Sequence, residues 1–130
     1  MIEWTKDYSV HIEHLDQDHQ ALFAALNRFY DGIQKCATND NLEILLTDLI
    51  KYAKVHFQNE EAFMLKIGFD KLDAHKKEHD AFASHVSDYL YRFQKGTAPA
   101  SYEVTHYIMD WITRHIKRED MEYARFAGKK

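Results

Sequence analysis

Residues 41–67 read NLEILLTDLIKYAKVHFQNEEAFMLKI, and the spacing of apolar and titratable side chains along them decides the fold. Leu42, Leu45, Leu49, Tyr52 or Ala53, His56, Glu60, Phe63 and Ile67 follow one another by three or four residues, the repeat of a single α-helical face. Such a stripe should carry leucine at every step, yet His56 and Glu60 stand in its middle. Burying an imidazole or a carboxylate without a partner costs roughly 1–3 kcal/mol or more per group, so these two need something on the facing helices to share.

Working outward, three further stripes show the same interruption. The inward positions run His19, Leu22, Leu26, Phe29, Ile33 in one; Leu72, His75, His79, Phe82, Val86, Leu90 or Tyr89, Phe93 in the next; and Val104, Ile108, Trp111, His115 in the last. His56 and Glu60, like His75 and His79, are four apart, one turn along the same side of a helix. A lone His-x-x-x-His is weak evidence of anything. Five histidines and a glutamate coinciding on seam positions of four helices call for a common partner, and the partner that satisfies imidazole and carboxylate together is a metal. The other histidines contrast: His11 and His14 precede the first helix, and His85 and His106 lie beside the seam.

Composition bounds the alternatives. A chain of 130 residues fits one compact domain, 1–130, divided into an N-terminal arm, 1–15, and a helical bundle, 16–127. The net charge of −4, with both signs interspersed, offers no basic face for nucleic acid and no polybasic patch for anionic lipid. No stretch approaches the ~20 apolar residues of a membrane span, and Met1 to Val10 lacks the pattern of a secretory signal, so a cytoplasmic location is expected. Cys36 is the only cysteine and reads as a small residue near the end of the first helix. Without thiolates in number, any metal must be held by nitrogen and oxygen.

Turn residues place the elements. Asp16 is the candidate N-cap of a first helix of about 17–37; Asn39, Asp40 and Asn41 precede a second of about 41–66, which Gly68 should end in a left-handed conformation. Asp70 could cap a third helix running to about Lys95. Gly96 to Ser101, with Pro99, make the next turn, and Ser101 would cap a fourth helix of about 102–117, followed by a short one near 119–127. Short connections make neighbours antiparallel, so the expected architecture is all-α, an up-down-up-down antiparallel four-helix bundle with an irregular N-terminal arm and a short C-terminal helix.

His19, then His56-x-x-x-Glu60, then His75-x-x-x-His79, then His115-x-x-x-x-Asp120 resembles, in order and spacing, the ligand signature of the hemerythrin family. The likeness extends over essentially the whole chain. It includes features shared with single-domain bacterial members: Trp4, Tyr8-Ser9-Val10, Asp16-Gln17-Asp18-His19, Glu60-Glu61, Trp111 four before His115, and Tyr123 three after Asp120. His11 departs from it, since glycine is common there, and this puts the local turn of the arm in question.

The resemblance implies two non-haem iron ions with a bridging oxide or hydroxide: His75, His79 and His115 on one iron, His19 and His56 on the other, Glu60 and Asp120 bridging. The first iron would then have six ligands and the second five, leaving a position for dioxygen. It also implies reversible dioxygen binding for storage, transport or delivery, without enzymatic turnover. Two alternatives stand beside it: sensing of oxygen, nitric oxide or redox state through a partner protein, or reduction of peroxide or nitric oxide at the same metals. The absence of a fused output domain weighs against sensing, and that of a cysteine-bearing N-terminal domain against iron–sulfur repair. The chain is expected to be a monomer or a weak homo-oligomer, with an unidentified oxygen-consuming recipient.

Leu22, Phe57, Trp111, Ile112 and Ile116 neighbour the ligands and are the candidate walls of an oxygen pocket. Glu61 and Glu119 adjoin ligands in sequence but point about 100° away on a regular helix, so they are read as surface groups or as groups behind the ligands. His115 and Asp120, five apart, would diverge by about 140° on an α-helix. A π-type turn between Trp111 and Asp120, or a break just after His115, is therefore expected.

Overall fold

The computed structural model of the chain describes residues 3–35, 39–95 and 102–128, with the side chains of 39, 40, 102 and 103 outside that description. Five α-helices follow a short 3-10 turn at Lys6–Tyr8: α1 Glu13–Gln34, α2 Asn39–Ile67, α3 Leu72–Gln94, α4 Tyr102–His115 and α5 Met121–Gly128, with a π-helical turn, Ile116–Asp120, between the last two. The long helices α1 to α4 form a four-helix bundle in which each adjoins the next and α4 returns against α1. Among the described residues no strand occurs, and no helix is long and apolar enough to cross a membrane.

The core is two clusters on either side of the polar seam. The larger joins Leu22, Leu26 and Phe29 of α1 to Leu46, Leu49, Ala53 and Phe57 of α2, Phe82 and Val86 of α3, and Val104, Ile108 and Ile112 of α4. The smaller gathers Val10, Leu15, Met64, Phe69 and Tyr123 at the other end. Of the paired seam positions, Ala53 is buried and Tyr52 exposed; Leu46, Met64 and Ile112 are buried where Leu45, Phe63 and Trp111 are only half-buried. This is the drift of a 3.6-residue helix against a seam counted in threes and fours.

Several helix ends differ from the expected ones. The first helix begins at Glu13, so the arm stops at Ile12, and His14 lies within the first turn. Asp16 is not the cap: extended Ile12 is, and its carbonyl accepts from the N–H of Leu15 at 3.0 Å and of Asp16 at 2.9 Å. The Asp16 carboxylate instead turns back on the arm, accepting from the Val10 N–H at 2.8 Å and the Ser9 hydroxyl at 2.6 Å. His11 between them takes φ 63°, the one non-glycine in the left-handed region among the described residues.

Gly68 does end α2, with φ 70°. The Phe69 N–H reaches the Met64 carbonyl at 2.9 Å and the Gly68 N–H that of Leu65 at 3.2 Å, the paired bonds of a Schellman motif, while Phe69 and Met64 join the same apolar cluster. Asp70 does not cap α3. Lys71 holds that position without a side-chain bond, because the chain must first bury Phe69. Cys36, Gly96, Pro99 and Ser101 lie outside the described residues, as do the side chains of Asn39 and Asp40. The fourth helix stops at His115, two residues early, and the last one starts at Met121.

Candidate metal centre

Each long helix brings its titratable residues to one level. α1 carries His19; α2 carries His56 and Glu60 one turn apart; α3 carries His75 and His79 likewise; α4 ends on His115; and the π turn ends on Asp120. All seven are buried, Glu60, Asp120 and His19 completely. The π turn, with its i→i+5 bonding, brings Asp120 round to the side where His115 points, as the five-residue interval requires.

Two groups of ligand atoms result. Glu60, His75, His79, His115 and Asp120 form one; His19, His56, Glu60 and Asp120 form the other; within each, atoms lie within 4.8 Å of one another. The two carboxylates belong to both. Asp120 Oδ1 lies 2.9 Å from His75 Nε2 and 3.1 Å from His115 Nε2, while its Oδ2 is 3.1 Å from His19 Nε2. Glu60 Oε1 lies 3.4 Å from His79 Nε2 and 3.1 Å from His56 Nε2, and Oε2 is 3.5 Å from His19 Nε2.

The donors fit metal better than they fit one another. His115 Nε2 is 3.0 Å from the Nε2 atoms of both His75 and His79. The outer nitrogen of His79, Nδ1, sits 2.9 Å from Glu61 Oε2, so donation outward leaves a bare lone pair on Nε2 facing the other rings. Neutral imidazoles so placed repel unless a cation sits among them. The spacing also carries geometry: with metal–nitrogen bonds of about 2.1 Å, adjacent nitrogens of an octahedron are about 3.0 Å apart, against about 3.4 Å for a tetrahedron. His56 Nε2, Glu60 Oε1 and Asp120 Oδ1 are buried without a hydrogen-bond partner in the protein, the condition of atoms waiting on a shared cation.

Among the protein's own groups the centre is strongly polarised. Burial opposes charge on His56, but Glu60 beside it, together with Asp18, overrides this and lifts its pKa from 6.5 to about 10. His19 and His115 are raised the same way, against burial, by hydrogen bonds and charge from Asp120 and Glu60. Burial pushes Glu60 and Asp120 upward and, for Asp120, the Glu60 charge adds to it; the surrounding imidazoles nonetheless hold both carboxyls below the ordinary range.

Groups behind the rings orient them. Besides Glu61 on His79, the Asp18 carboxylate lies 3.3 Å from His56 Nδ1 and accepts from the Asn59 amide at 2.8 Å. Tyr123 donates to Glu60 Oε2 at 2.6 Å from the far side, and burial followed by the Glu60 and Asp120 charges pushes its pKa well above 10. Sequence reasoning left Glu61 between this zone and the surface, and assigned no such role to Asp18, Asn59 or Tyr123. The available signal was their nearness to ligands in the chain, Asp18 and Asn59 next to His19 and Glu60 and Tyr123 three after Asp120, which many surface residues share. Glu119 makes no such contact with a ring; burial and Glu78 raise its pKa.

The five expected pocket residues do come together. Leu22, Phe57, Trp111, Ile112 and Ile116 line one cavity with His19, His56, Glu60, His115 and Asp120. The cavity is small, about 10 Å³, near the least that holds one water molecule. Phe57 stacks on His79 at 4.0 Å and Trp111 on His115 at 4.4 Å, so the walls also fix two of the rings.

Residues 10–127 match the family model for the hemerythrin HHE cation binding domain. A bacteriohemerythrin of Methylococcus capsulatus is 31% identical over 126 residues, covering 95% of this chain and 94% of its own. A myohemerythrin of Riftia pachyptila is 32% identical over 120 residues, covering 92% and 88% respectively. A crystal structure of wild-type hemerythrin superposes with a TM-score of 0.91 at 28% identity, covering 96% of both chains.

Proposed function

Because the chain belongs to the hemerythrin family, we propose that it binds dioxygen reversibly at a pair of non-haem irons, for storage, transport or delivery, residues 1–130 acting as one domain. His75, His79 and His115 would hold one iron, His19 and His56 the other, with Glu60 and Asp120 shared. Bound there, the irons supply reversible two-electron exchange with dioxygen.

The rest is the work of the side chains. Two carboxylates and five imidazoles keep the anionic charge of the donor set low, which suits release of oxygen over cleavage of its bond; di-iron carboxylate oxidases place four carboxylates at the metals. Asp18 and Glu61 fix the outer nitrogens of His56 and His79 as donors and turn the inner lone pairs to the centre. Tyr123 holds Glu60 in orientation. The apolar walls of the cavity exclude water and proton donors other than those the site itself provides.

One observation carries the proposal: the histidines divide three to two around the shared carboxylates, and the cavity lies against both histidines of the poorer group, His19 and His56, but against only His115 of the richer one. Binding without turnover, in the cytoplasm, completes the reading. The test is to supply the iron-loaded protein with peroxide and a reductant. Oxygenation and deoxygenation over many cycles, with no steady consumption of either reagent, is the expected result; sustained consumption would assign the site to reduction instead.

A further inference from the structure

The outward face of α2 does nothing for the metal site, yet it concentrates exposed apolar surface. Of the large apolar side chains most open to solvent among the described residues, Ile44, Tyr52, Val55 and Leu65 are all on α2, with exposures of 59%, 44%, 56% and 71%, and only Tyr91 is elsewhere. Ile44, Asp48, Lys51 and Val55 step by four, three and four along that face, opposite Leu42, Leu46, Leu49 and Ala53, which enter the core. This is the heptad spacing of a helix seam. The concavity beside Ile44 is lined by Glu43, Ile44, Thr47, Asp48 and Lys51, and that beside Val55 by Arg28, Asp48, Lys51, Tyr52 and Val55.

The four positions are symmetric about a point midway between Asp48 and Lys51. Followed in one direction the stripe is apolar, acid, base, apolar; followed in the other it is apolar, base, acid, apolar. A second copy laid antiparallel on it therefore meets its own complement. Asp48 of each faces Lys51 of the other, twice over, and Ile44 of each enters the concavity beside Val55 of the other. No other antiparallel register pairs Asp48 with Lys51.

We propose that this face joins two copies of the chain, α2 against α2, about a two-fold axis passing between Asp48 and Lys51, an isologous contact of the kind most homodimers use. One helix on one helix lies at the small end of the range, below about 1,200 Å², where complexes are weak and transient. Association should therefore be weak and depend on concentration. Leu65, two turns beyond the paired segment, stays outside it.

Sedimentation equilibrium of the iron-loaded protein over a hundredfold concentration range tests this. Mass should rise toward twice that of the chain. Asp48→Lys alone, or Lys51→Asp alone, sets like charges opposite each other and should weaken association by at least about tenfold. The double exchange Asp48→Lys with Lys51→Asp should restore it, whereas Leu65→Ser should change nothing; unchanged iron content verifies that each variant is folded. Monomer at every concentration would overturn the proposal and leave the face to a different protein. Dimerisation that ignores the single exchanges, or that the double exchange fails to restore, would overturn it equally.

Discussion

At the scale of single residues, His11 and Leu22 show two kinds of constraint. His11 sits at φ 63° because Ser9 and Val10 are tied back to Asp16 and the chain must then turn sharply into Ile12. A side chain in that conformation costs about 1–2 kcal/mol, though histidine tolerates it better than most. His11→Gly should leave stability unchanged or raise it by up to about 1 kcal/mol, and His11→Val should lower it by about 1–2 kcal/mol. Equal denaturation midpoints for the glycine and valine variants would refute a required left-handed turn. The sequence hinted at this position only through its departure from related chains, since no composition rule announces a positive φ at histidine. Leu22, one turn after His19, is 2% exposed and lines the cavity. Leu22→Asn should bring water and a hydrogen-bond donor to it, hastening autoxidation while the fold survives. Decay of the oxygenated spectrum beside wild type is the measurement; unchanged or slower decay would shift the protecting role to Phe57, Trp111 or Ile112.

At the scale of elements, the π turn Ile116–Asp120 decides whether the fourth helix completes the site. That the α-helix must be interrupted there, by a π turn or a break, was legible, because His115 and Asp120 cannot share a face of an α-helix at a five-residue interval. The limits of the turn were not, since hydrogen-bond registers i→i+4 and i→i+5 suit the same side chains and differ only in packing. The consequence can be measured. Deleting Arg118 shortens the interval from five residues to four, which an ordinary α-helix brings within about 40° of each other, so iron should be retained; inserting alanine after Arg118 lengthens it to six, about 120° apart, and should cost at least one iron. Retention of both irons by the insertion variant would show that the turn does not set the register. Helix starts were poorly legible for a related reason. Asp16 and Asp70 both resemble caps in sequence, but the first serves the arm and the second yields to the burial of Phe69, and both outcomes depend on contacts distant in the chain.

At the scale of the whole molecule, the polar seam ties folding, protons and metal together. The seam itself could be counted from the sequence because a charged group on an apolar stripe breaks a simple period; the network behind it, Asp18, Asn59 and Tyr123, could not, because those residues break none. Without metal, the raised histidines contribute stability that is full below about 6.5 and is lost as pH rises, for His56 through about 10. The depressed carboxyls, Glu60 and Asp120, contribute stability present above about 4.5 and lost as pH falls. The metal-free chain should thus be most stable between about pH 4.5 and 6.5. Metal requires neutral imidazoles, so uptake at pH 7 must expel protons, that of His56 among them. Calorimetry in buffers of different ionisation enthalpy should record at least about one proton released per chain. No release would contradict the polarised centre.

The most direct measurement is an oxygen titration of the anaerobically reduced protein, with iron counted per folded chain. A di-iron carrier predicts two irons, one dioxygen taken up per chain, and the same dioxygen returned when the gas phase is replaced by argon. One iron per chain, or oxygen consumed and not returned, would contradict it.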